Sequence, residues 1–313
     1  MSVPLTVVMY HYVRQLEETA YPHIKGRRTT EFHSQLHYLK KHYTIVGIER
    51  IVEYLETGTP LPTDAALLTF DDGYRDHYEN VFPILRQHGL PGAFFPPVRA
   101  VECHELLDVN RIHFLLASVD PTVLGREVDA QVQDARDAFD LAEPSIYRER
   151  LAVPSRFDPA ETIYVKRMLQ RALPEVVRHW IARDLFRRYV SNNEHDFAAE
   201  LYATRMQLEE MQANGMYIGA HGNSHYWLDA LNPTEQETEI RASIEFLRQI
   251  RSPVDKYWVM CYPYGSYNAA LLNSLRKMAC KVGLTTEVRQ ADLASDDPLL
   301  LPRFDTNDFP TSL

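Results

Sequence analysis

Two short segments of this chain hold residue types that together can do hydrolytic chemistry. Thr69-Phe70-Asp71-Asp72-Gly73 presents adjacent carboxylates, and His221-Gly222-Asn223-Ser224-His225 presents two imidazoles four residues apart. One carboxylate oxygen and two imidazole nitrogens fill three positions around Zn²⁺ or a similar cation. They leave one position open, where a bound water loses a proton near neutral pH. The second aspartate is then a base beside that water. Adjacent acids are usually no more than a solvated pair, so the reading depends on where this pair sits.

The pair follows the apolar run Ala65-Ala66-Leu67-Leu68-Thr69-Phe70, which reads as a buried strand, and precedes Gly73 and a helix-like stretch over 74–88. Both carboxylates are therefore predicted at the C-terminal end of a strand. His221 follows a shorter strand candidate, Met216-Tyr217-Ile218-Gly219-Ala220, and Gly222 permits an abrupt turn before His225. In parallel α/β architectures catalytic groups gather on that rim, because the loops converge there.

Strand candidates lie at 5–10, 43–46, 67–70, 93–95, 217–220, 258–262, 282–285 and 299–304. Helices are predicted between most of them. Thr29-Thr30-Glu31-Phe32 offers a threonine cap before the apolar stripe Phe32, Leu36 and Leu39, and 49–55, 80–87, 234–249 and 269–279 read similarly. Repeated strand–helix units predict an α/β fold with a parallel, barrel-like sheet.

Residues 103–196 interrupt that rhythm. Ile112, Leu115, Leu116 and Val119, then Ile163, Met168, Leu169, Leu173, Val176, Val177, Trp180 and Ile181, recur at helical intervals. The expected organisation is a barrel built from 1–102 and 197–313, with 103–196 as a helical insertion. Emerging after Phe94-Phe95-Pro96-Pro97, the insertion is expected either to roof the catalytic mouth or to buttress the barrel from outside. Its arginines Arg167, Arg171, Arg178, Arg183, Arg187 and Arg188 read as a solvated face; turned inward they would suit the phosphate of a nucleotide-linked or lipid-linked sugar.

Composition excludes more than it identifies. A formal net charge of −10 argues against nonspecific nucleic-acid binding, since no Lys/Arg-dense stripe offsets the repulsion of phosphates. Cys103, Cys261 and Cys280 are odd in number and lack metal-binding spacing, so reduced thiols are expected. Met1-Ser2-Val3-Pro4 passes straight into the first strand with no signal-like segment, and no run approaches the ~20 apolar residues of a membrane span. The expectation from these features is a cytoplasmic protein and an intracellular substrate.

The two motifs closely resemble those of the polysaccharide deacetylase family, the metal-dependent sugar N-deacetylases that share a NodB-type domain. The resemblance implies a distorted parallel (β/α) barrel of about seven strands. In that family the first aspartate of Thr-Phe-Asp-Asp-Gly is the general base, and the second binds the metal with two histidines. By position these are Asp71, Asp72, His221 and His225. Gly222 stands where the family usually has Ser or Thr, which leaves the ligand spacing intact. A third family segment, usually Arg-x-Pro-Tyr-Gly, appears as Cys261-Tyr262-Pro263-Tyr264-Gly265, with Cys261 replacing the arginine. The Tyr-Pro-Tyr-Gly form resembles the exopolysaccharide deacetylase branch, in which the motif bearing the general-acid histidine has moved to the N-terminus. Val7-Val8-Met9-Tyr10-His11 fits that permutation, making His11 the substitute. The resemblance covers residues 3–100 and 205–305.

The function so implied is hydrolysis of an N-acyl group, N-acetyl first, from an amino sugar of a bacterial surface polysaccharide or lipopolysaccharide. Asp72, His221 and His225 would hold one divalent ion, Zn²⁺ before Co²⁺, Ni²⁺ or Mn²⁺. Asp71 would take the water proton, the Tyr264 backbone N–H in the Pro263-Tyr264-Gly265 turn would stabilise the oxyanion, and His11 would protonate the leaving amine. Arg303 and Asp305, after the final strand, are candidates to orient Asp71 or His11, or else form an ordinary terminal ion pair. The remaining histidines, His77 among them, have no motif partner and read as surface or core groups. Tyr226 and Trp227 read as packing residues, or as a face on which a sugar stacks. A non-sugar amide or imide hydrolase and a catalytically silent glycan-binding protein are the competing functions; the sugar's linkage and the oligomeric state stay open.

Overall fold

Parallel pairing begins with the two longest strands, β1 (Pro4–Tyr10) and β3 (Ala65–Asp71), which run in register from Leu5 opposite Ala65 to Tyr10 opposite Phe70. In this computed structural model, which describes residues 2–312, β2 (Thr44–Ile45) pairs with the start of β3 and β4 (Ala93–Phe95) with its end. Met1 and Leu313, the outer ends of the barrel segments expected from the sequence, lie outside the described residues. β4 pairs in parallel with β5 (Tyr217–Ile218), and a single parallel bridge from Ala220 to Met260 carries the ring to β6 (Val259–Cys261) and β7 (Val282–Leu284). Leu284 then bridges Leu301, and the same segment returns to β1 as β9 (Phe304–Asp305), with Val8 opposite Phe304. β1, β3, β4, β5, β6, β7 and the 301–305 segment thus close a distorted (β/α) barrel of seven staves. The expected fold class is the observed one.

Alternation along the strands sorts the core into two layers. Leu5, Val7, Leu67, Phe95, Val259, Cys261, Val282, Leu284 and Leu301 pack together, with Ile48, Ile51 and Val52 of the helix Ile48–Thr57 added to them. The opposite parity, Val8, Tyr10, Leu68, Phe70, Phe94 and Met260, packs with Phe32, Leu36, Leu85, Leu208, Ile240, Leu247 and Leu271 from the surrounding helices. Asp71 shares the parity of Leu67, so the alternation that builds the core also aims its carboxylate inward at the rim.

Two local expectations need correction. The strand candidate 299–304 is broken, because Pro298 starts a short 3₁₀ turn (Pro298–Leu300) and Pro302 withholds a ladder donor; only Leu301 and β9 pair. The helix Thr29–His42 has Thr29 inside its first turn rather than as its cap. Its start is held by Glu31, whose carboxylate accepts the Arg28 backbone N–H at 3.0 Å. A short strand absent from the sequence reading, β8 (Ala291–Asp292), runs antiparallel to the start of β1.

The second compact unit comprises 15–25 and 106–197. Its helices include Asp108–Ser118, Pro121–Phe139, Pro144–Leu151, Ala160–Arg167 and Glu175–Tyr189, and it has its own core of Ile112, Leu115, Leu124, Val128, Val132, Tyr164, Met168, Val177, Ile181 and Leu185. The segment 15–25 joins this unit through Tyr21, whose ring meets Phe114 at 4.9 Å and Phe197 at 5.8 Å. Within the unit Arg183 and Arg187 approach Glu194, and Arg188 binds Asp184 and Glu127. Among the described residues no helix is long and apolar enough to cross a membrane.

The turn that ends β3 is sterically determined. Gly73 has φ +66°, and a Cβ there would lie 2.7 Å from Pro96 Cβ and 2.9 Å from Pro96 Cα, a backbone atom that cannot swing away. Gly73→Ala is therefore expected to cost about 2 kcal/mol, combining left-handed strain with overpacking. An unchanged urea midpoint would contradict this account of the turn.

Candidate metal centre and active site

Strands β1, β3, β5 and β6 and the segment before β9 each bring a candidate group or turn to the C-terminal rim. The β1–β3 register that pairs Tyr10 with Phe70 sets His11 level with Asp71. His221 follows β5 and its parallel bridge at Ala220, Pro263-Tyr264-Gly265 follows β6, and Arg303 lies between Leu301 and β9. Three non-glycine residues at this rim hold left-handed backbone, Asp72 (φ 71°), His225 (φ 57°) and Tyr264 (φ 58°). Such conformations cost about 1–3 kcal/mol each and persist only where surrounding contacts enforce them.

Those contacts are visible. The Gly73 carbonyl accepts the Ala203 N–H at 2.9 Å, fixing the turn after Asp72. Between the histidines, the buried Glu239 carboxylate accepts the backbone N–H groups of Asn223 and Ser224 at 2.9 and 2.8 Å and the Ser224 hydroxyl at 2.9 Å. Gly222 has φ +74°, a backbone that suits glycine better than the family's usual Ser or Thr.

Asp72, His221 and His225 are buried and converge. Asp72 Oδ1 lies 3.3 Å from His221 Nε2 and 3.2 Å from His225 Nε2, and it has no hydrogen-bond partner. The other oxygen, Oδ2, accepts the Tyr74 hydroxyl at 2.6 Å. His221 Nδ1 faces the Cys261 carbonyl at 2.7 Å, so that nitrogen donates, and in the neutral form of the ring, the one that binds a metal, the lone pair sits on Nε2. Ligands at about 2.0–2.1 Å from a tetrahedral ion stand about 3.3 Å apart, so spacing, burial and tautomer all fit a divalent cation. Burial opposes ionisation of Asp72, but the two imidazoles facing Oδ1 outweigh burial and hold it well below the usual carboxylate range. A second cluster, Asp71, His221 and Cys261, is equally compact. It does not compete, because both Asp71 oxygens are on Arg303, His221 turns its N–H that way, and burial pushes the Cys261 thiol up.

Asp71 is bound to Arg303 by two parallel bonds, Nη1 to Oδ1 at 2.9 Å and Nη2 to Oδ2 at 2.8 Å. The guanidinium is itself tied to the Thr285 carbonyl at 2.8 Å and the Thr69 hydroxyl at 3.2 Å. Burial raises the Asp71 pKa, but Arg303 first, then His221 and His11, overcome it and hold the carboxylate at about 2. It is ionised throughout the physiological range.

His11 sits on the same rim, near enough to act electrostatically on both aspartates. Its backbone carbonyl accepts His77 Nε2–H at 2.9 Å, while Asp76 accepts the Val13 N–H at 3.2 Å and Arg14 Nε at 2.7 Å. His77 is buried, and burial lowers its pKa to about 4. It is a neutral donor that positions the backbone at His11 and not a proton source, which leaves His11 as the acid candidate on this rim. Tyr264 stacks on Trp227 at 4.4 Å and 3° and meets the His225 ring at 4.7 Å. Pro263 has no N–H and the Gly265 N–H is committed to the Tyr262 carbonyl at 2.9 Å, so of these three Tyr264 carries the oxyanion expectation. The Asp305 carboxylate accepts the Asn307 backbone N–H at 2.8 Å and caps the 3₁₀ turn Thr306–Asp308. It serves the terminal turn, and Arg303 alone of the pair grips Asp71.

Tyr74, Glu239 and the Cys261 carbonyl were missed by the sequence reading. Tyr74 carried a faint signal, standing two residues beyond Asp72; Glu239, on the helix Pro233–Gln249, carried none.

The chain belongs to the polysaccharide deacetylase family: that family's profile matches residues 58–135 and 179–283. The match includes Asp71, Asp72, His221, His225 and the Tyr262–Gly265 stretch, and leaves His11 and Arg303 outside it. A poly-β-1,6-N-acetyl-D-glucosamine N-deacetylase of Escherichia coli strain K12 is 37% identical over 90 residues, 28% of this chain and 13% of that protein. YxkH of Bacillus subtilis strain 168 is 29% identical over 86 residues, 28% of this chain and 30% of that one. The chain thus spans well under two thirds of these curated relatives. Among solved structures, the Streptococcus pyogenes deacetylase PplD in complex with acetate aligns with TM-score 0.59 at 16% identity, over 97% of this chain and 93% of that one. IcaB from Ammonifex degensii aligns with TM-score 0.54 at 17% identity, over 97% and 91%. At these identities the likeness is one of fold.

The geometry distinguishes the candidate ligands from the candidate base. Asp72→Ala, His221→Ala and His225→Ala are each expected to lose most bound metal, whereas Asp71→Asn keeps it and loses turnover. Metal content after dialysis, beside acetate release, checks this; near-normal turnover in metal-loaded Asp71→Asn would overturn the base assignment.

Proposed function

We propose that this chain is a metal-dependent N-deacetylase that removes acetyl groups from the N-acetylated amino sugars of a bacterial surface polysaccharide. The observation that carries the reading is the juxtaposition at one rim of an ionised, doubly gripped Asp71 with the buried donor set Asp72, His221 and His225. Two imidazoles and one carboxylate favour Zn²⁺, with Co²⁺, Ni²⁺ and Mn²⁺ as competitors. When bound, such an ion supplies Lewis-acid polarisation of the amide carbonyl and brings the pKa of water near 7.

The remaining work falls to the chain. Asp71 accepts the proton of the attacking water, and Arg303 keeps that carboxylate charged and aimed. Carboxylate oxygens at 2.9 and 2.8 Å from the two guanidinium nitrogens cannot turn away without breaking both bonds. The Tyr264 backbone N–H donates to the oxygen on which negative charge develops. His11 gives a proton to the departing nitrogen, so that water and amide yield acetate and a free amine. Trp227 and Tyr264 offer an aromatic face beside His225 suited to a pyranose ring.

The Escherichia coli relative's named substrate makes β-1,6-linked N-acetylglucosamine oligomers the first to test, and the acetate in the PplD complex favours acetyl over formyl. Zn²⁺-loaded protein is expected to release acetate from such oligomers, with less from UDP-N-acetylglucosamine and little from a simple N-acetyl alkylamine. Acetate quantified enzymatically decides. Hydrolysis of the alkylamine amide alone would point instead to a non-sugar amidase, and sugar binding without release from any arm would point to a silent glycan-binding protein.

A further inference from the structure

The oxygens of Asp72 have different fates. Oδ1 faces His221 Nε2 and His225 Nε2 at 3.3 and 3.2 Å and has no hydrogen-bond partner, whereas Oδ2 accepts the Tyr74 hydroxyl at 2.6 Å. Tyr74 is fully buried, and its ring is packed at 4.0 Å against Tyr12 and stacked at 6.2 Å on Tyr202. Its backbone bridges Tyr202, and the adjacent Gly73 carbonyl accepts the Ala203 N–H. The hydroxyl is therefore delivered to Oδ2 by a rigid stack, not by a mobile side chain.

We propose that Tyr74 is a positioning residue that restricts Asp72 to a single donor oxygen and thereby selects the ion the centre holds. This rests on the metal reading above. A carboxylate with both oxygens available chelates larger, oxygen-seeking ions such as Mn²⁺, which favour six ligands. A carboxylate with one oxygen committed elsewhere, beside two imidazoles, offers three donors and suits four-coordinate Zn²⁺ or Co²⁺. The short hydroxyl bond also fixes the direction of the donating oxygen, the usual work of groups that hydrogen-bond a ligand from behind. The proposal goes beyond the choice of ligands, because it assigns metal preference to a residue that touches no metal.

The test is metal affinity and coordination in Tyr74→Phe, which keeps the ring and removes only the hydroxyl. Zn²⁺ and Mn²⁺ dissociation constants are read by competition with a chromophoric chelator, and coordination by the visible spectrum of the Co²⁺-loaded protein. Zn²⁺ binding is expected to weaken about 10–100-fold. Mn²⁺ binding is expected to change by less, so that discrimination between the two falls, and the intense bands of four-coordinate Co²⁺ are expected to give way to weaker ones. A Zn²⁺ affinity within about twofold of wild type, equal weakening of both metals, or an unchanged Co²⁺ spectrum would each overturn the proposal. Wild-type protein supplies a check independent of how the variant folds: weak bands of five- or six-coordinate Co²⁺ in the wild type would also overturn it. If the wild type bound no stoichiometric metal at all, the failure would lie in the metal reading itself.

Discussion

The buried pair of Arg303 and Asp71 is the constraint on which the rest of the site depends. Both side chains are almost wholly shielded from water, and removing one partner of such a pair leaves an uncompensated charge, typically at a cost of about 3–5 kcal/mol. Arg303 also reaches the Thr285 carbonyl and the Thr69 hydroxyl, and Thr69 in turn donates to the Val8 carbonyl at 2.8 Å. One guanidinium thus links the ends of β7 and β3 and, through Thr69, β1. It does so beside one of the two places where a single bridge joins the ring, Leu284 to Leu301, the other being Ala220 to Met260. Barrel closure and placement of the Asp71 carboxylate are one interaction.

The same pair sets a tension. Charge pairing that orients Asp71 also depresses its affinity for a proton, to a pKa of about 2, far from the value near working pH that favours a general base. The pairing trades basicity for a carboxylate that stays ionised and is held through both oxygens. Strain is distributed on similar terms. Asp72, His225 and Tyr264 take left-handed backbone, and each lies beside a fixed anchor: Ala203 on the Gly73 carbonyl, Glu239 on the turn between the histidines, and the Tyr262 carbonyl on Gly265.

What sequence could reveal divides along the range of the interactions. The carboxylate pair and the two histidines are local motifs on strand ends, and alternation through Ala65–Asp71 already places Asp71 on the inward parity. The parallel barrel followed from repeated strand and helix signals. Arg303 was legible only as a candidate, because its partner lies 232 positions away and nothing local distinguishes it from an ordinary terminal arginine. Glu239 and the Cys261 carbonyl act through long-range contacts, the first with both its oxygens and the second with backbone any residue would supply. The broken candidate at 299–304 failed for a local reason, a proline just before it and another inside it, in a run whose apolar content reads as strand. Joining 15–25 to the helical unit needed the Tyr21 ring contacts, which no periodicity signals.

The most direct test of this account is the pH dependence of kcat/KM in Arg303→Lys, with metal content measured on the same samples. An ammonium keeps the charge but cannot grip both carboxylate oxygens, so Asp71 loses orientation and part of its stabilisation as an anion. The account predicts retained metal, a fall of at least about tenfold at pH 7, and an acidic limb displaced upward by about one unit or more, since the base then protonates at higher pH. A profile superimposable on that of the wild type, with metal bound, would contradict it.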